Sequence, residues 1–298
     1  MNIDIRAALL AWFDDNARDL PWRGCDDPYA VLVSEVMSQQ TRVDTVRTYW
    51  LRWMEAFPTV DALAEADSGD VMRLWAGLGY YRRARNLHAC AQVIAREHGS
   101  DLPKTADELR LLPGIGAYTS AAVASISFDE AVPAVDGNVT RVVSRLHMIG
   151  GDPTRAAFRN AIHEAAALLV DSKRPGSSNE ALMELGAVCC SPTSPTCAQC
   201  PVRSWCRAHA ENTTAAYPPK KPRKPPRVEA RHTVVALDGD AVFMRLPDGD
   251  GLLAGLWEFP TYHCSELTEA VSAVGVDHGL VGDVRSVGAV EHAFSHIR

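Results

Sequence analysis

The sequence holds no run of eighteen apolar residues, which excludes a membrane-spanning helix. Its start, Met1-Asn2-Ile3-Asp4-Ile5-Arg6, has neither the apolar core of a secretion signal nor an Arg/Ser-rich transit pattern. An intracellular, cytoplasmic location is therefore expected. Positive charge is also short: 30 Lys and Arg against 37 Asp and Glu leave a formal net charge of −7. That excludes an undirected basic nucleic-acid binder, because duplex DNA repels a uniformly acidic surface. Any DNA function must rest on a local basic face or on backbone amides. Evenly spread cysteines are missing too. Of the eight, at 25, 90, 189, 190, 197, 200, 206 and 264, five fall within eighteen residues. In an intracellular chain such a cluster reads as metal ligation rather than as disulfides.

What is present is ordinary for a globular protein, with 47% hydrophobic and 22% charged residues over 298 positions. That length suits one large domain or two smaller ones. Helix periodicity dominates the first two hundred residues or so. Val43, Val46, Trp50, Trp53, Met54 and Phe57 form one helical face. Further helices are predicted around Val71–Leu78, Leu87–Ile94, Leu109–Leu112, Ala121–Ile126, Val139–Leu146, Ala161–Val170 and Ala181–Val188. Then the character changes. Residues 217–227 carry five prolines and five basic residues and read as a semi-extended tether. Beyond it, 233–237 and 241–245 flank Asp238-Gly239-Asp240 as the arms of a β-hairpin. The tail is a small α/β or mostly β module, near the lower size limit for a core of its own.

The strongest chemical signal is Cys190-x6-Cys197-x2-Cys200-x5-Cys206, set among Pro192, Pro195 and Pro201. Four thiolates from one short stiffened loop suit either zinc or an iron–sulfur cluster, and spacing alone does not choose. Cys189 falls outside that spacing and reads as a core residue. A second signal is Leu112-Pro113-Gly114-Ile115-Gly116, between two helical stretches. Its glycines permit a tight turn and expose consecutive amides at the next helix start, a geometry that holds a phosphate without basic side chains. Backbone amides of this kind reconcile DNA binding with an acidic chain.

Together these features make the chain resemble the helix-hairpin-helix DNA glycosylases with an iron–sulfur loop, and within them the MutY adenine glycosylase branch. The resemblance runs along most of the chain. Its segments are 20–23 (LPWR), 34–41 (SEVMSQQT), 77–87 (GLGYYRRARNL), 112–116 (LPGIG), 135–139 (VDGNV), the cysteine loop, 255–260 (GLWEFP) and 294–296 (FSH). The implied fold is mainly α: a two-lobed helix-hairpin-helix glycosylase domain over 1–212 with an iron–sulfur loop at 190–206. A Pro/Lys/Arg-rich linker at 213–231 and a partial Nudix-like α/β domain at 232–298 would follow. The implied cofactor is a [4Fe–4S] cluster on Cys190, Cys197, Cys200 and Cys206. The implied partner is double-stranded DNA with adenine opposite 8-oxoguanine or guanine, bound by a monomer.

Site residues follow from the same resemblance. Alone, Glu35 reads as a solvated helix-face glutamate, although its apolar flanks Val31, Leu32, Val33, Val36 and Met37 would raise its pKa. The resemblance makes it the acid that protonates N7 of the adenine. Asp136, alone a helix N-cap, becomes the carboxylate that steadies the oxocarbenium-like sugar, and Asn138 helps to order water and sugar. Bifunctional relatives carry a lysine nucleophile where this chain has Tyr118, so a monofunctional glycosylase that leaves the strand intact is expected. Gln40 and Tyr80 match wedge positions that fill the gap left by an everted base. Leu112, Gly114 and Gly116 form the DNA-binding hairpin, and Arg82, Arg83 and Arg85 suit phosphate contacts. Trp22, Arg23 and Glu180 match the adenine pocket; Ser38 departs from the family's usual leucine. Phe294, Ser295 and His296 match the 8-oxoguanine recognition loop. Two other readings stand beside this one: a thymine or uracil mismatch glycosylase of the same superfamily, and a non-catalytic DNA-binding protein with structural zinc.

Overall fold

The computed structural model describes residues 2–220, 231–246, 256–264 and 266–290. It divides into two compact units, Met1–Lys221 and Pro222–Arg298. The first is helical: α1 (Asn2–Asn16), α2 (Pro28–Ser38), α3 (Val43–Ala56), α4 (Val60–Ala64), α5 (Ser68–Trp75) and α6 (Arg82–Glu97) come in sequence. After these come α7 (Ala106–Leu109), α8 (Ala117–Phe128), α9 (Gly137–His147), α10 (Ala156–Ala167), α11 (Pro175–Glu184) and, past a π-helical turn at Leu185–Cys189, α12 (Arg207–Ala210). Among the described residues no helix is long and apolar enough to cross a membrane.

Two lobes share the burial. In one, Leu9 and Phe13 of α1 pack with Val143 of α9, Ile162 of α10 and Leu182 of α11. In the other, Trp53, Leu63, Trp75, Leu87 and Ile94 of α3 to α6 are buried. There the Trp53 ring meets Trp75 edge-on at 5.4 Å and Phe57 at 5.1 Å. Each such side chain contributes about 1.5–3 kcal/mol through removal from water. Helix α8 buries Thr119 to Ser125 on all faces and packs against both α2 and α11. Helix α8 thus bridges α2 and α11, and α11 packs on α9 in turn.

The first unit keeps residues that composition alone assigns to the tether. Thr214–Ala216 form a 3₁₀ turn, and the carbonyls of Thr214 and Tyr217 each accept from Arg145 Nε at 3.0 Å. A buried guanidinium needs acceptors, and this stretch provides two.

The second unit has short strands β1 (His232–Thr233), β2 (Leu237–Asp238), β3 (Ala241–Val242) and β4 (Thr261–Tyr262), and helix α13 (Leu267–His278) against β1 and β4. The hairpin turn at 239–240 is present as expected, with β2 antiparallel to β3. The expected first arm, 233–237, is not one strand. His232 and Thr233 pair instead with Tyr262 and Thr261, and Val235 between the two pairings is half exposed. Local alternation does not reveal a partner so far along the chain.

Candidate active site

Helix α2 starts at Pro28, where Asp27 accepts the Tyr29 amide at 2.9 Å, and buries Tyr29 to Ser34 together with Val36 and Met37. A helix buried on nearly every face carries Glu35 inside with it. Glu35 Oε2 is shielded from solvent and has no hydrogen-bond partner among the described residues. Burial pushes its pKa from 4.5 up to about 7; a hydrogen bond from the Tyr118 hydroxyl opposes this, and the charges of Glu180 and Asp136 add to it. A carboxyl of that kind holds its proton for a large fraction of the time near neutrality.

Asp136 is the N-cap of α9. Its Oδ1 accepts the Val139 amide at 2.7 Å and its Oδ2 accepts Asn138 Nδ2 at 2.9 Å. Burial raises its pKa, while these donors pull the other way. The cap reading and the fixed-carboxylate reading hold together, since capping is what immobilises both oxygens. Asn138 Oδ1 in turn accepts from Arg141 Nη2 at 2.8 Å. The same guanidinium donates to the carbonyls of Cys190 (2.7 Å) and Gly186 (2.8 Å). Gly186, in the π-helical turn, leaves room for this approach: a Cβ there would lie 2.6 Å from that of Asn138.

Tyr118, in the first turn of α8, is half-buried, and its hydroxyl oxygen lies 2.9 Å from Met183 Sδ. Burial first, then Glu35, lifts its phenol well above the ordinary value, so it stays a neutral donor. Glu180 of α11 is raised by burial against the pull of Arg23, whose Nε lies 3.1 Å from its Oε1. Arg23 also reaches Glu184 Oε2 at 3.1 Å, and Arg18 grips both Glu184 oxygens at 2.6 and 3.0 Å. Burial pushes Glu184 up, but the two guanidiniums outweigh it and hold the carboxyl below its ordinary range. Trp22 is half-buried, its ring 5.9 Å from that of Trp50. Glu35, Tyr118, Asp136 and Glu180 thus share one electrostatic neighbourhood, and Arg23 joins it through Glu180.

Cys190, Cys197, Cys200 and Cys206 line a single cavity, with Cys189 and Arg145 in its wall, and all are free thiols. Among the described residues no three His, Cys, Asp or Glu side chains gather tightly enough to hold one metal ion. Soft sulfur donors of this kind suit zinc or an iron–sulfur group. Arg145 places Nη1 3.3 Å from Cys190 Sγ and donates to the carbonyls of Ser191 (2.8 Å) and Pro192 (3.0 Å). A positive group so placed offsets the charge of converging thiolates. Four thiols around one cavity, with a guanidinium beside them, are a donor set that fits an iron–sulfur group.

On the outer face, Gln40 (φ 55°) and Tyr80 (φ 49°) both adopt the left-handed backbone that non-glycine residues avoid, and both are exposed. In the hairpin between α7 and α8, Gly114 has φ 75°, and a Cβ there would lie 2.4 Å from that of Asn86. Gly116 opens onto free space at the start of α8, which no side chain caps. Its amides are available to an anion. Leu112 is buried and anchors the hairpin. For Arg83 the structure corrects the expected phosphate contact. That side chain is buried, because its guanidinium satisfies internal carbonyls rather than facing a phosphate, whereas Arg82 is exposed. Phe294, Ser295 and His296 lie outside the described residues.

Sequence reasoning overlooked Arg18, Arg141, Arg145 and Glu184. Their signal was present: Arg141 and Arg145 flank Val142, Val143 and Leu146, and Glu184 sits among Ala181, Leu182 and Leu185. A charge on an apolar helical stripe is either an error or a buried anchor.

Residues 33–167 match the family described as "HhH-GPD superfamily base excision DNA repair protein". The adenine DNA glycosylase of Homo sapiens is 40% identical over 98% of this chain, and the chain spans 65% of that relative's length. The adenine DNA glycosylase of Schizosaccharomyces pombe is 35% identical, covering 98% of this chain and 79% of that one. Among solved structures, a thermostable thymine-DNA glycosylase matches with a TM-score of 0.63 at 24% identity, over 70% of this chain and 97% of that one. A non-covalent endonuclease III–DNA complex matches at 0.58 and 22%, over 71% and 98%. At those identities the structural likeness speaks for the fold alone.

Proposed function

We propose, from the premise that this chain belongs to the adenine DNA glycosylases of the HhH-GPD base excision repair superfamily, that it hydrolyses the bond between a mispaired adenine and its sugar. The observation that carries the proposal is the shielded, unpartnered Glu35 Oε2 with its pKa pushed up to about 7. A protonated carboxyl there donates to N7 of an everted adenine, which draws electron density from the N9–C1′ bond. That bond breaks with its electron pair going to the purine. Asp136, held by the Val139 amide and Asn138, faces the resulting positive sugar and lowers its energy, as a preorganised charge does in a dry site. Water adds at C1′ and gives up a proton, and the products are free adenine and an intact abasic strand. Tyr118 supports this outcome, because its neutral phenol offers no amine nucleophile.

Specificity in this reading is shared. Trp22, Arg23 and Glu180 meet the adenine edge, while Gln40 and Tyr80 occupy the gap it leaves in the stack. The amides at Gly114 and Gly116 hold backbone phosphate. Cys190, Cys197, Cys200 and Cys206 would hold a [4Fe–4S] cluster, which cross-links the loop around Arg145 and Arg141 when bound. The second unit would serve as a partial Nudix-like module that reads 8-oxoguanine, with Phe294, Ser295 and His296 as its contacts. The protein would act as an intracellular monomer on double-stranded DNA.

The test uses duplexes with adenine opposite 8-oxoguanine, quenched with and without hot alkali. Strand breaks seen only after alkali support a monofunctional adenine glycosylase. Breaks without alkali contradict the Tyr118 argument, and release of thymine or uracil from mispairs instead of adenine contradicts the substrate.

A further inference from the structure

The guanidinium of Arg83 is the most heavily engaged buried cation described in the chain, and the glycosylase chemistry above makes no use of it. Its Nη1 donates to the carbonyls of Val36 (3.0 Å), Met37 (2.8 Å) and Gln39 (2.6 Å). The first two belong to the last turn of α2, whose carbonyls lack a helical amide, and Gln39 is its C-cap. Its Nη2 donates to Thr41 Oγ1 (3.1 Å) and to the carbonyls of Leu78 and Gly79 (3.2 Å each). The same group lies 5.2 Å from the centre of the Trp75 ring and 5.5 Å from that of Tyr80. One planar ion thus joins three things: the end of the helix carrying Glu35, the turn carrying Gln40, and the turn carrying Tyr80.

Those two turns need such a tie. Gln40 and Tyr80 are both held in left-handed backbone, which non-glycine residues avoid and which persists only where the surroundings over-determine it. Trp75 Nε1 also donates to the Gly79 carbonyl at 3.1 Å, and the Tyr49 hydroxyl donates to the Ala76 carbonyl at 2.9 Å. These bonds reach only the 76–80 turn. Arg83 alone among the bonds described spans both turns. Burial lowers its pKa to about 10, against the pull of Tyr80, so the ion stays charged across the physiological range.

We propose that Arg83 is a positioning residue that sets Gln40 and Tyr80 at a fixed separation, so that both enter the base stack together when adenine leaves it. This rests on the glycosylase reading and on the wedge roles it assigns. A lysine keeps the charge but has one nitrogen in place of two, so it cannot reach both turns from one side chain.

The test is stopped-flow fluorescence with the full chain and a short duplex carrying 2-aminopurine beside the target adenine. Unstacking of that probe reports extrusion. In Arg83→Lys, extrusion should slow by about tenfold, the effect of a misplaced wedge worth about 1.4 kcal/mol, while the pH midpoint of base release stays that of the wild type. In a Gln40→Ala/Tyr80→Ala background the same lysine should change extrusion by less than about twofold, because the pathway it acts through is gone. Equal slowing in both backgrounds, or none in either, overturns the inference. If Arg83→Lys does not fold, Thr41→Val decides: it removes one acceptor of the guanidinium on the Gln40 side, along with the long 3.4 Å bond from the same hydroxyl to the Gln39 carbonyl. Slower extrusion in that variant at unchanged thermal stability supports the inference, and an unchanged rate overturns it. Wild-type protein that leaves the probe stacked defeats the glycosylase reading itself. Wild-type unstacking matched by Arg83→Lys defeats only the positioning role.

Discussion

The end of α2 and the start of α9 each bring one buried carboxylate to the same place, yet they treat it in opposite ways. Desolvation raises both. At the α2 wall Glu35 keeps a shielded Oε2 with no partner and two carboxyl groups nearby, so holding a proton is the easiest remedy for its charge. At the α9 wall Asp136 is gripped by a backbone amide and by Asn138, which favour the ionised form. The difference lies in donors rather than in burial. In the proposed reaction, two carboxyl groups with unequal hydrogen-bond supply divide the work into an acid and a fixed charge, as paired carboxylates do in glycoside hydrolysis.

The comparison breaks first at Glu35. Glu35→Gln retains shape and removes the transferable proton, so single-turnover adenine release should fall by about 10³-fold or more, with DNA binding preserved by gel shift. Asp136→Asn keeps a capping oxygen but deletes the charge; release should slow by about 10²-fold, with a melting temperature close to wild type. Asp136→Ala should add a stability loss of about 1 kcal/mol by removing the cap as well.

Stability sharpens the contrast in the other direction. The folded pKa of Glu35, about 7, lies above its ordinary 4.5, so between those values the native state binds a proton that the unfolded chain has released. Stability therefore falls as pH rises through that window and stays lower above it. Glu35→Gln should match wild type near pH 4 and exceed it at pH 8 by about 1–3 kcal/mol in urea titrations. Equal stability at both pH values would show that Glu35 is not desolvated. The smallest effect belongs to Glu180→Gln. Removing that neighbouring charge should lower the pH midpoint of release by a fraction of a unit, alongside any loss of adenine affinity.

Only part of the acid wall is legible in the sequence. Glu35 in the apolar run of residues 29–37 reads alone as a solvated helix-face residue, and the resemblance is what makes it the acid. Asp136 before Gly137, by contrast, announces a helix start. The spacing of Cys190, Cys197, Cys200 and Cys206 and the glycines at 114 and 116 need only local rules. What was illegible is the fate of charges on buried faces. Arg83 stands in a run with Arg82 and Arg85, and nothing local separates the one that turns inward; its acceptors lie more than forty residues away on α2. The apolar stripes mark Arg145 and Glu184 as buried but not their partners, which come from the cysteine loop and residues 214–217 and from the loop between α1 and α2. The second unit was read least well, since β1 finds its partner in β4 and not in the adjacent hairpin.

The central claim, a neutral Glu35 handing a proton to the leaving base, is tested most directly by the rate of adenine release against pH under single-turnover conditions. The account predicts a plateau below about pH 7 and a tenfold loss per pH unit above it, with no such limb in Glu35→Gln. A wild-type rate that stays level from about pH 6 to pH 9 would contradict it.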